Sequence, residues 1–328
     1  MKLPVSELKS KIIELFAAAR AISEVDRKSV ADYMVWSEMS GVHDQGIVKL
    51  AGANGLQKTI PEGAIKIERE TPVSMLIDGA KNIGIVVADK MTDIAIEKAK
   101  KSGLAIVASH NTFSSNGAQA YYVEKIAAQD LIGIMCSRSP GTVAPFGSID
   151  PLFGTNPVGY AFPTDTDPIV FDGATSARTF YSLILSNAAG ETLPEGIATD
   201  KHGNPTTSPA DVMDGGALCS FGGHKASGFS MLVELLTGPL AGGSFLDYTD
   251  EGKEWGTTII AINPEILVDL KKFKSDCSKF VEVIRASRTR EGRSIRMPHD
   301  NARKAYKAAT ASGMVEIDNK LFAKVFNG

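Results

Sequence analysis

The sequence has few cysteines and no long apolar segment. Only Cys136, Cys219 and Cys277 occur among its 328 residues, and their odd number and wide spacing fit neither a disulfide framework nor a zinc site. We therefore expect reduced thiols in a cytoplasmic protein. No stretch is long and apolar enough to cross a bilayer, and charged residues interrupt any signal-peptide core near the N-terminus. The sequence thus predicts a soluble, cytoplasmic protein without membrane contact.

An excess of either charge is lacking as well. The chain has 35 Lys and Arg against 38 Asp and Glu, a formal net charge of −3, and no long run of one sign. A broad basic face is therefore excluded, and with it the usual electrostatic basis of nucleic-acid binding. The partner that we expect is a small molecule.

Several nucleotide-binding and catalytic motifs are missing. No G-x-G-x-x-G follows a predicted strand, which excludes the usual dinucleotide turn of a Rossmann fold. The phosphate-binding G-x-x-x-x-G-K-[ST], the zinc-binding H-E-x-x-H and the hydrolase G-x-S-x-G are absent too. We expect no metal site. Motif reading alone ends at an α/β domain with a polar site.

Hydrophobic periodicity indicates alternating helices and strands. Apolar residues at helical spacing predict helices at about 6–16, 23–39, 83–101, 116–129, 224–241, 264–286 and 301–311. Short apolar runs at 103–108, 131–136 and 257–262 predict buried strands. Helices that alternate with buried strands are typical of a layered α/β domain. No internal repeat or low-complexity tail occurs.

Seven segments, taken together, resemble one family. They lie at residues 41–50, 116–122, 154–157, 171–176, 193–196, 200–207 and 222–228. Their order and spacing over nearly the whole chain are similar to those of the malate/L-lactate dehydrogenase-type NAD(P)-dependent oxidoreductases, of which this chain looks like a divergent member. Each segment alone is weak evidence, but the ordered set is specific.

The resemblance implies a non-Rossmann α/β fold with a central mixed sheet. Both chain ends, residues 1–70 and 285–328, would form a helical outer domain, and residues 71–284 the central cofactor-binding region. The resemblance also implies a homodimer with its active site near the subunit boundary. The cofactor would be NAD(P)H, with NADPH slightly favoured. No motif in the sequence identifies the residue that distinguishes NAD from NADP.

The resemblance also implies where the cofactor binds. Turn formation and helix capping would explain the segments 154–157 and 171–177 without any ligand, but the family uses both for the cofactor. Lys225, at a glycine-preceded helix start, suits a phosphate. Residues 298–300 occupy the place of a Pro-Gly-acidic cofactor turn in the family, from which His299 departs. The implied cofactor-binding residues are Ser115, Gly117, Thr155, Asn156, Pro157, Phe171, Asp172, Gly173, Ala174, Thr175, Ser176, Ala177, His224, Lys225, Pro298, His299 and Asp300.

The catalytic segment departs from the family pattern. The family has G-V-D-S-H-G-V-x-R-L, in which His exchanges a proton and Arg binds the substrate carboxylate. Here Asp44 and Gln45 replace the Ser-His pair, Lys49 replaces the Arg, and His43 lies two residues before the family histidine. Ser115 takes the place of a second family histidine, and His110 lies five residues earlier. Neither family histidine is in its expected place.

Three explanations remain open, because glutamine cannot act as a general acid or base near neutral pH. In the first explanation, the substrate is a 2-imino acid, such as a piperideine- or pyrroline-2-carboxylate, whose protonated iminium accepts hydride without a further acid. Alternatively, His43 or Asp44 takes the acid role and the chain is a malate- or lactate-type 2-hydroxy acid dehydrogenase. In the third explanation, the chain binds a dinucleotide but catalyses no reaction. The imine is slightly favoured, and fold alone does not decide the reaction.

Overall fold

The computed structural model describes residues 1–19, 22–51, 55–246 and 254–327. The helices in these ranges are α1 (Val5–Ala19), α2 (Glu24–Met39), α3 (Gly84–Ser102), α4 (Gln119–Ala127), α5 (Phe180–Ala189), α6 (Pro209–Met213), α7 (His224–Thr237), α8 (Leu270–Arg285), α9 (Asp300–Ser312) and α10 (Asn319–Phe326). The strands are β1 (Lys2–Pro4), β2 (Lys66–Thr71), β3 (Ser74–Asp78), β4 (Leu104–Thr112), β5 (Ile132–Arg138), β6 (Val143–Ala144), β7 (Val158–Phe162), β8 (Ile169–Gly173), β9 (Ala198–Thr199), β10 (Ala217–Cys219), β11 (Trp255–Ile262) and β12 (Met314–Glu316).

A seven-stranded mixed sheet forms the centre, in the order β2-β3-β4-β11-β5-β7-β8. Strands β3 and β4 are parallel, and the other neighbours are antiparallel. Helices α3 and α4 pack against each other and against the sheet, while α7 contacts β5 and β11. The prediction of an α/β fold with a central mixed sheet is confirmed.

The two N-terminal helices form where the sequence predicts them. Helix α1 buries Leu8, Ile12 and Phe16, which recur every four residues and so share one face. Ser23 caps α2 by accepting a hydrogen bond from the Asp26 N–H, as an N-cap serine does. Nearly the whole C-terminal half of α2 is buried, so it leads directly from the core into the segment 41–50.

The two ends of the chain meet beside these helices. Strand β1 pairs antiparallel with β12, with Leu3 opposite Val315, and α9 packs on α2. Strand β2 belongs to the central sheet although all but its last residue lies within residues 1–70. The division into an outer domain and a central region at residues 70 and 285 stays a prediction.

Three predicted helix boundaries are wrong, each for a local reason. The predicted helix 264–286 is divided, because Pro264–Ile266 forms only a 3-10 turn and Asp269 then caps α8 by accepting the Lys272 N–H. Helix α7 ends at Thr237, since Gly238 and Pro239 follow. Helix α4 starts at Gln119 instead of residue 116.

The strands β2 and β3 and the helix α5 were not predicted at all. Strand β2 is an edge strand with an almost fully exposed burial pattern, so it lacks the apolar alternation from which strands are predicted.

The three cysteines are free thiols, and within the described residues no helix has the length and apolarity that a bilayer span requires.

We predict that Met91→Ala destabilises the fold by about 2–5 kcal/mol, because Met91 is fully buried on α3 and its loss leaves a cavity. Urea unfolding followed by circular dichroism measures the change in the free energy of unfolding. Met213→Ala is the matched control, since Met213 on α6 is about half exposed, and it should change that energy by less than about 0.5 kcal/mol. Equal effects of the two substitutions would contradict the core described above.

Candidate active site

A cavity of about 440 Å³, here called the inner pocket, brings together segments that are far apart in sequence. It lies between the turn after α2, the turn before α4, the end of β5 and the segment that follows β8. Ten of the predicted site residues line it, namely Asp44, Gln45, Lys49, Ser115, Gly117, Thr155, Pro157, Asp172, Gly173 and Ala174. The structure therefore places most of the predicted catalytic segment beside part of the predicted cofactor site.

A buried carboxylate shapes the catalytic segment. After α2 the chain makes two 3-10 turns, His43–Gln45 and Ile47–Leu50. Glu38, near the end of α2, accepts the Ile47 N–H at 2.8 Å with Oε1, and its Oε2 lies 2.6 Å from His43 Nδ1. Gly46 passes so close to this carboxylate that a Cβ there would collide with it. Glu38 thus holds the chain on both sides of Gln45.

His43 faces away from the inner pocket. Its side chain is 58% exposed and bonded to Glu38, and this hydrogen bond raises the pKa of His43. It lines a second cavity of about 780 Å³, the outer pocket, together with Val48, Leu185 and Lys324. The two pockets share Asp44, Lys49, Ser115 and Tyr181. Among the described residues, no histidine lines the inner pocket.

Lys49 stands between the two pockets. Its Nζ lies 3.4 Å from Ser115 Oγ and 5.7 Å from the centre of the Tyr181 ring. Burial lowers the pKa of Lys49 to about 8, against the opposing field of Asp44. A half-desolvated ammonium of this kind attracts an anion and remains mostly protonated at neutral pH.

Asp172 supplies a second carboxyl group at the pocket wall. It accepts the Ala120 N–H at 3.1 Å, and burial raises its pKa to about 6, while the nearby His299 opposes this rise. The hydroxyl of Tyr33 accepts the Ala118 N–H at 2.6 Å, so α2 fixes the turn that leads into α4. Among the described lining residues, Lys49 is therefore the one cationic side chain, and it shares the pocket with the carboxyl groups of Asp44 and Asp172.

Two predicted cofactor residues turn their side chains outward, toward α7. The Asn156 side chain is buried and donates to Ser230 O and Glu234 Oε2, and the Thr175 hydroxyl donates to Asn156 O. Of the remaining residues in this segment, Phe171 stacks on Tyr160, Ser176 donates to Arg178 O, and the Ala177 N–H donates to Cys219 O. None of these five residues lines the inner pocket.

The two more distant cofactor predictions also fall outside the inner pocket. Helix α7 begins at His224 as predicted, after two glycines with positive φ, but His224 and Lys225 are exposed at its start. Pro298 is exposed, and Asp300 pairs with Arg285 at 2.7 Å.

His299 caps α9 with a φ of 68° and stacks on Trp36, with its Nε2 3.2 Å from Glu124. It lines a separate groove of about 600 Å³ that also contains Tyr121 and Arg303.

Several residues that line the inner pocket are not among the site residues predicted from the sequence. Asn116 donates from its buried amide to Ser137 Oγ and Thr257 Oγ1, which ties the turn before α4 to the sheet. Tyr181 and Phe180, at the start of α5, belong to no recognised motif. The other missed lining residues are Val42, Ala118, Ser137, Ser139, Pro140, Thr142, Thr179 and Trp255. Val42, Asn116 and Ala118 lie within the segments 41–50 and 116–122, and the run of Ser, Pro and Gly at 137–142 is a turn signal for the residues that lie there.

The lining suits part of a dinucleotide. The Thr142 hydroxyl is buried and has no hydrogen-bond partner among the described residues, so it is available to a ligand group. Ser137, Ser139 and Thr155 add hydroxyl groups, and Gly173 and Ala174 complete this part of the lining without bulky side chains. A mainly apolar cavity with a few convergent polar groups is the usual form of a cofactor site.

Comparisons with known proteins identify the family of this chain. The malate/L-lactate dehydrogenase family matches residues 3–325. The chain is 34% identical to the malate/(S)-sulfolactate dehydrogenase of Methanothermus fervidus, over 97% of this chain and 94% of that protein. It is also 34% identical to a Δ1-pyrroline-2-carboxylate/Δ1-piperideine-2-carboxylate reductase of Pseudomonas putida, over 80% of each.

A solved structure shows the same fold. The sulfolactate dehydrogenase of Methanocaldococcus jannaschii superimposes with a TM-score of 0.87 at 30% identity, covering 99% of this chain and 95% of that one. The family match over nearly the whole length and the shared fold establish the class of enzyme. The chain belongs to the malate/L-lactate dehydrogenase family and is an NAD(P)-dependent oxidoreductase.

Proposed function

We propose that this protein is an NAD(P)H-dependent reductase of small 2-imino or 2-oxo carboxylic acids and that a cyclic 2-imino acid is the better substrate. The observation that carries the proposal is the inner pocket, where Gln45 lies near Lys49 and where no histidine is found among the described lining residues. Relatives whose names include a pyrroline- and piperideine-2-carboxylate reductase support the imine class.

The side chains divide the work as follows. The Lys49 ammonium pairs with the substrate carboxylate, and the Gln45 amide hydrogen-bonds beside the reacting carbon. Ser115, 3.4 Å from Lys49, steadies the ammonium. When bound, the reduced nicotinamide supplies a hydride. A protonated iminium already carries the proton that a ketone has to acquire, so no acid is needed where the family has histidine.

The runner-up is a 2-hydroxy acid dehydrogenase. Malate and sulfolactate dehydrogenases among the relatives support it. Of the two replacement acids that the sequence suggests, Asp44 lines the inner pocket, whereas His43 is bonded to Glu38 and faces the outer pocket. If the protein is a hydroxy acid dehydrogenase, Asp44 is therefore a better candidate for the proton donor than His43.

The cofactor assignment follows from the same geometry. Ser115, Gly117, Thr155, Pro157, Asp172, Gly173 and Ala174 would hold the nicotinamide end, and Thr142 is added from the structure. Contacts of the dinucleotide with Lys225 and with residues 298–300 stay predictions, because these groups lie outside the inner pocket. The preference for NADPH and the cytoplasmic location also stay predictions.

We predict that steady-state kcat/KM with NADPH is at least tenfold higher for piperideine- or pyrroline-2-carboxylate than for pyruvate or oxaloacetate. The physical reason is that Gln45 stabilises a charged iminium but cannot protonate a developing alkoxide. The assay follows nicotinamide absorbance with each acid and with both reduced dinucleotides. Gln45→His is the matched variant and should raise activity on the oxo acids.

Two results would contradict this prediction. Oxo acid activity equal to or above imine activity would favour the hydroxy acid dehydrogenase, and loss of that activity in Asp44→Asn would identify the acid. Dinucleotide binding by fluorescence without oxidation of any substrate would favour the protein without turnover.

Lys49 gives a second prediction. Because the pKa of Lys49 is about 8, kcat/KM should fall as the pH rises through 8 and the ammonium loses its proton. Lys49→Arg, whose charge persists to higher pH, should move this fall upward by at least one pH unit. Lys49→Ala should mainly raise the substrate KM at pH 7. Lys272→Ala, on the exposed surface of α8, is the control, and an unchanged KM in Lys49→Ala would contradict carboxylate binding.

We also propose a homodimer that buries one face of α7. Phe229, Met231, Leu232 and Leu235 are each about half exposed in this chain, and contiguous apolar surface of this kind is usually covered by a partner. A second copy related by two-fold symmetry presents the same face. Analytical ultracentrifugation should show a dimer that Leu232→Lys dissociates and that Ile67→Lys, an exposed control on β2, leaves intact. A monomeric wild type would contradict the proposal.

A further inference from the structure

A buried ion pair lies directly behind the wall of the inner pocket. Glu234 on α7 and Arg138 at the end of β5 are 3% and 1% exposed, and Glu234 Oε1 lies 2.8 Å from Arg138 Nε. Arg138 also donates to Ser244 Oγ and to Glu254 O, and the Leu246 N–H donates to Glu234 Oε1. Neither residue lines the inner pocket.

The second oxygen of the Glu234 carboxylate contacts the turn 155–157, which belongs to a segment that is predicted to bind the cofactor. Glu234 Oε2 accepts the Asn156 side-chain amide at 2.9 Å. Asn156 has a φ of 39°, in the left-handed region that residues other than glycine rarely adopt. Its neighbours Thr155 and Pro157 line the pocket. The carboxylate therefore secures a strained residue whose two neighbours form the wall.

A second contact, one helical turn away, holds the same wall. The Ser230 hydroxyl, also on the inner face of α7, donates to Thr175 Oγ1 at 2.8 Å. Thr175 in turn donates through its hydroxyl to Asn156 O and through its N–H to Thr155 O. Residues 230 and 234 are four apart and so share one helix face. Helix α7 thus holds the turn 155–157 at two points.

We infer that Glu234 is a positioning residue, which sets the affinity for the reduced dinucleotide by holding Asn156 and thereby Thr155 and Pro157. This inference rests on the proposed cofactor site. A buried ion pair adds little net stability compared with apolar side chains of the same volume, so stability alone does not explain it. Arg138 orients the Glu234 carboxylate, and Glu234 acts on the pocket through Asn156.

The test replaces the carboxylate of Glu234 by an amide of nearly the same volume. In Glu234→Gln, the new amide cannot accept from both Arg138 and Asn156 in full, because it brings its own N–H₂ donors. We expect a KM for NADPH or NADH at least tenfold higher, with kcat within about twofold of the wild type. The double variant Glu234→Gln/Asn156→Asp restores one donor and one acceptor between these two side chains but loses the bond from residue 156 to Ser230 O, so its KM should fall below that of Glu234→Gln without reaching the wild-type value.

Two further variants separate positioning from folding. Thr237→Ser lies one turn further along α7, where the Thr237 hydroxyl bonds only within its own helix, and this variant should leave the KM unchanged. Ser230→Ala removes the second contact and should raise the KM by a smaller factor, which provides a test even if Glu234→Gln folds poorly. Hydrogen exchange of the Thr175 N–H, bonded to Thr155 O, should accelerate in Glu234→Gln and slow again in the double variant.

The outcomes are distinct. If the wild type binds dinucleotide but Glu234→Gln lowers only the thermal stability and leaves the KM unchanged, the inference is overturned. A KM of the double variant that stays at or above that of Glu234→Gln overturns it as well. If the wild type binds neither reduced dinucleotide, the proposed function fails, and the role of Glu234 in cofactor affinity fails with it.

Discussion

The inner pocket depends on carboxylates that are buried behind it. Glu38 accepts the Ile47 N–H and bonds His43 at the end of α2, and Glu234 on α7 performs the corresponding task for Asn156. A buried carboxylate without partners is strongly unfavourable, so each persists only because N–H groups surround it. This requirement fixes the surrounding chain in one arrangement. The two turns that form the pocket are thereby held from outside, and their inner surfaces remain free for ligands.

This arrangement explains the electrostatics of the pocket. The cation Lys49 and the carboxyl groups of Asp44 and Asp172 share a partly dry space, where burial moves the pKa of Lys49 down to about 8 and that of Asp172 up to about 6. Both changes have the same cause, because burial disfavours the charged form of each group. A substrate carboxylate that binds at Lys49 favours the protonated ammonium, because an adjacent negative charge raises the pKa of a lysine.

The fold followed from the sequence better than the site did. Helices α1, α2 and α3 and strands β4, β5 and β11 carry clear apolar periods and were predicted near their observed places. Strand β2 was missed because it is an exposed edge, and Asp269 showed its capping role only in the structure. The segments around Gln45 and Asp172 met in one pocket as the resemblance implied. Motifs, however, do not tell which way a side chain turns: the side chains of Asn156 and Thr175 contact α7, and their cofactor contacts stay a prediction.

The relation of His43 to Gln45 shows why chemistry separates from fold in this family. One family fold serves both hydroxy acid dehydrogenases and imine reductases, so the scaffold constrains hydride delivery but not proton delivery. In this chain His43 is bonded to Glu38, and the residue at the position of the family histidine is the amide Gln45, with Asp44 beside it in the pocket. An amide can orient and stabilise a positively charged C=N group but cannot complete the reduction of a ketone. A substrate that brings its own proton removes this difficulty without requiring any change in the fold.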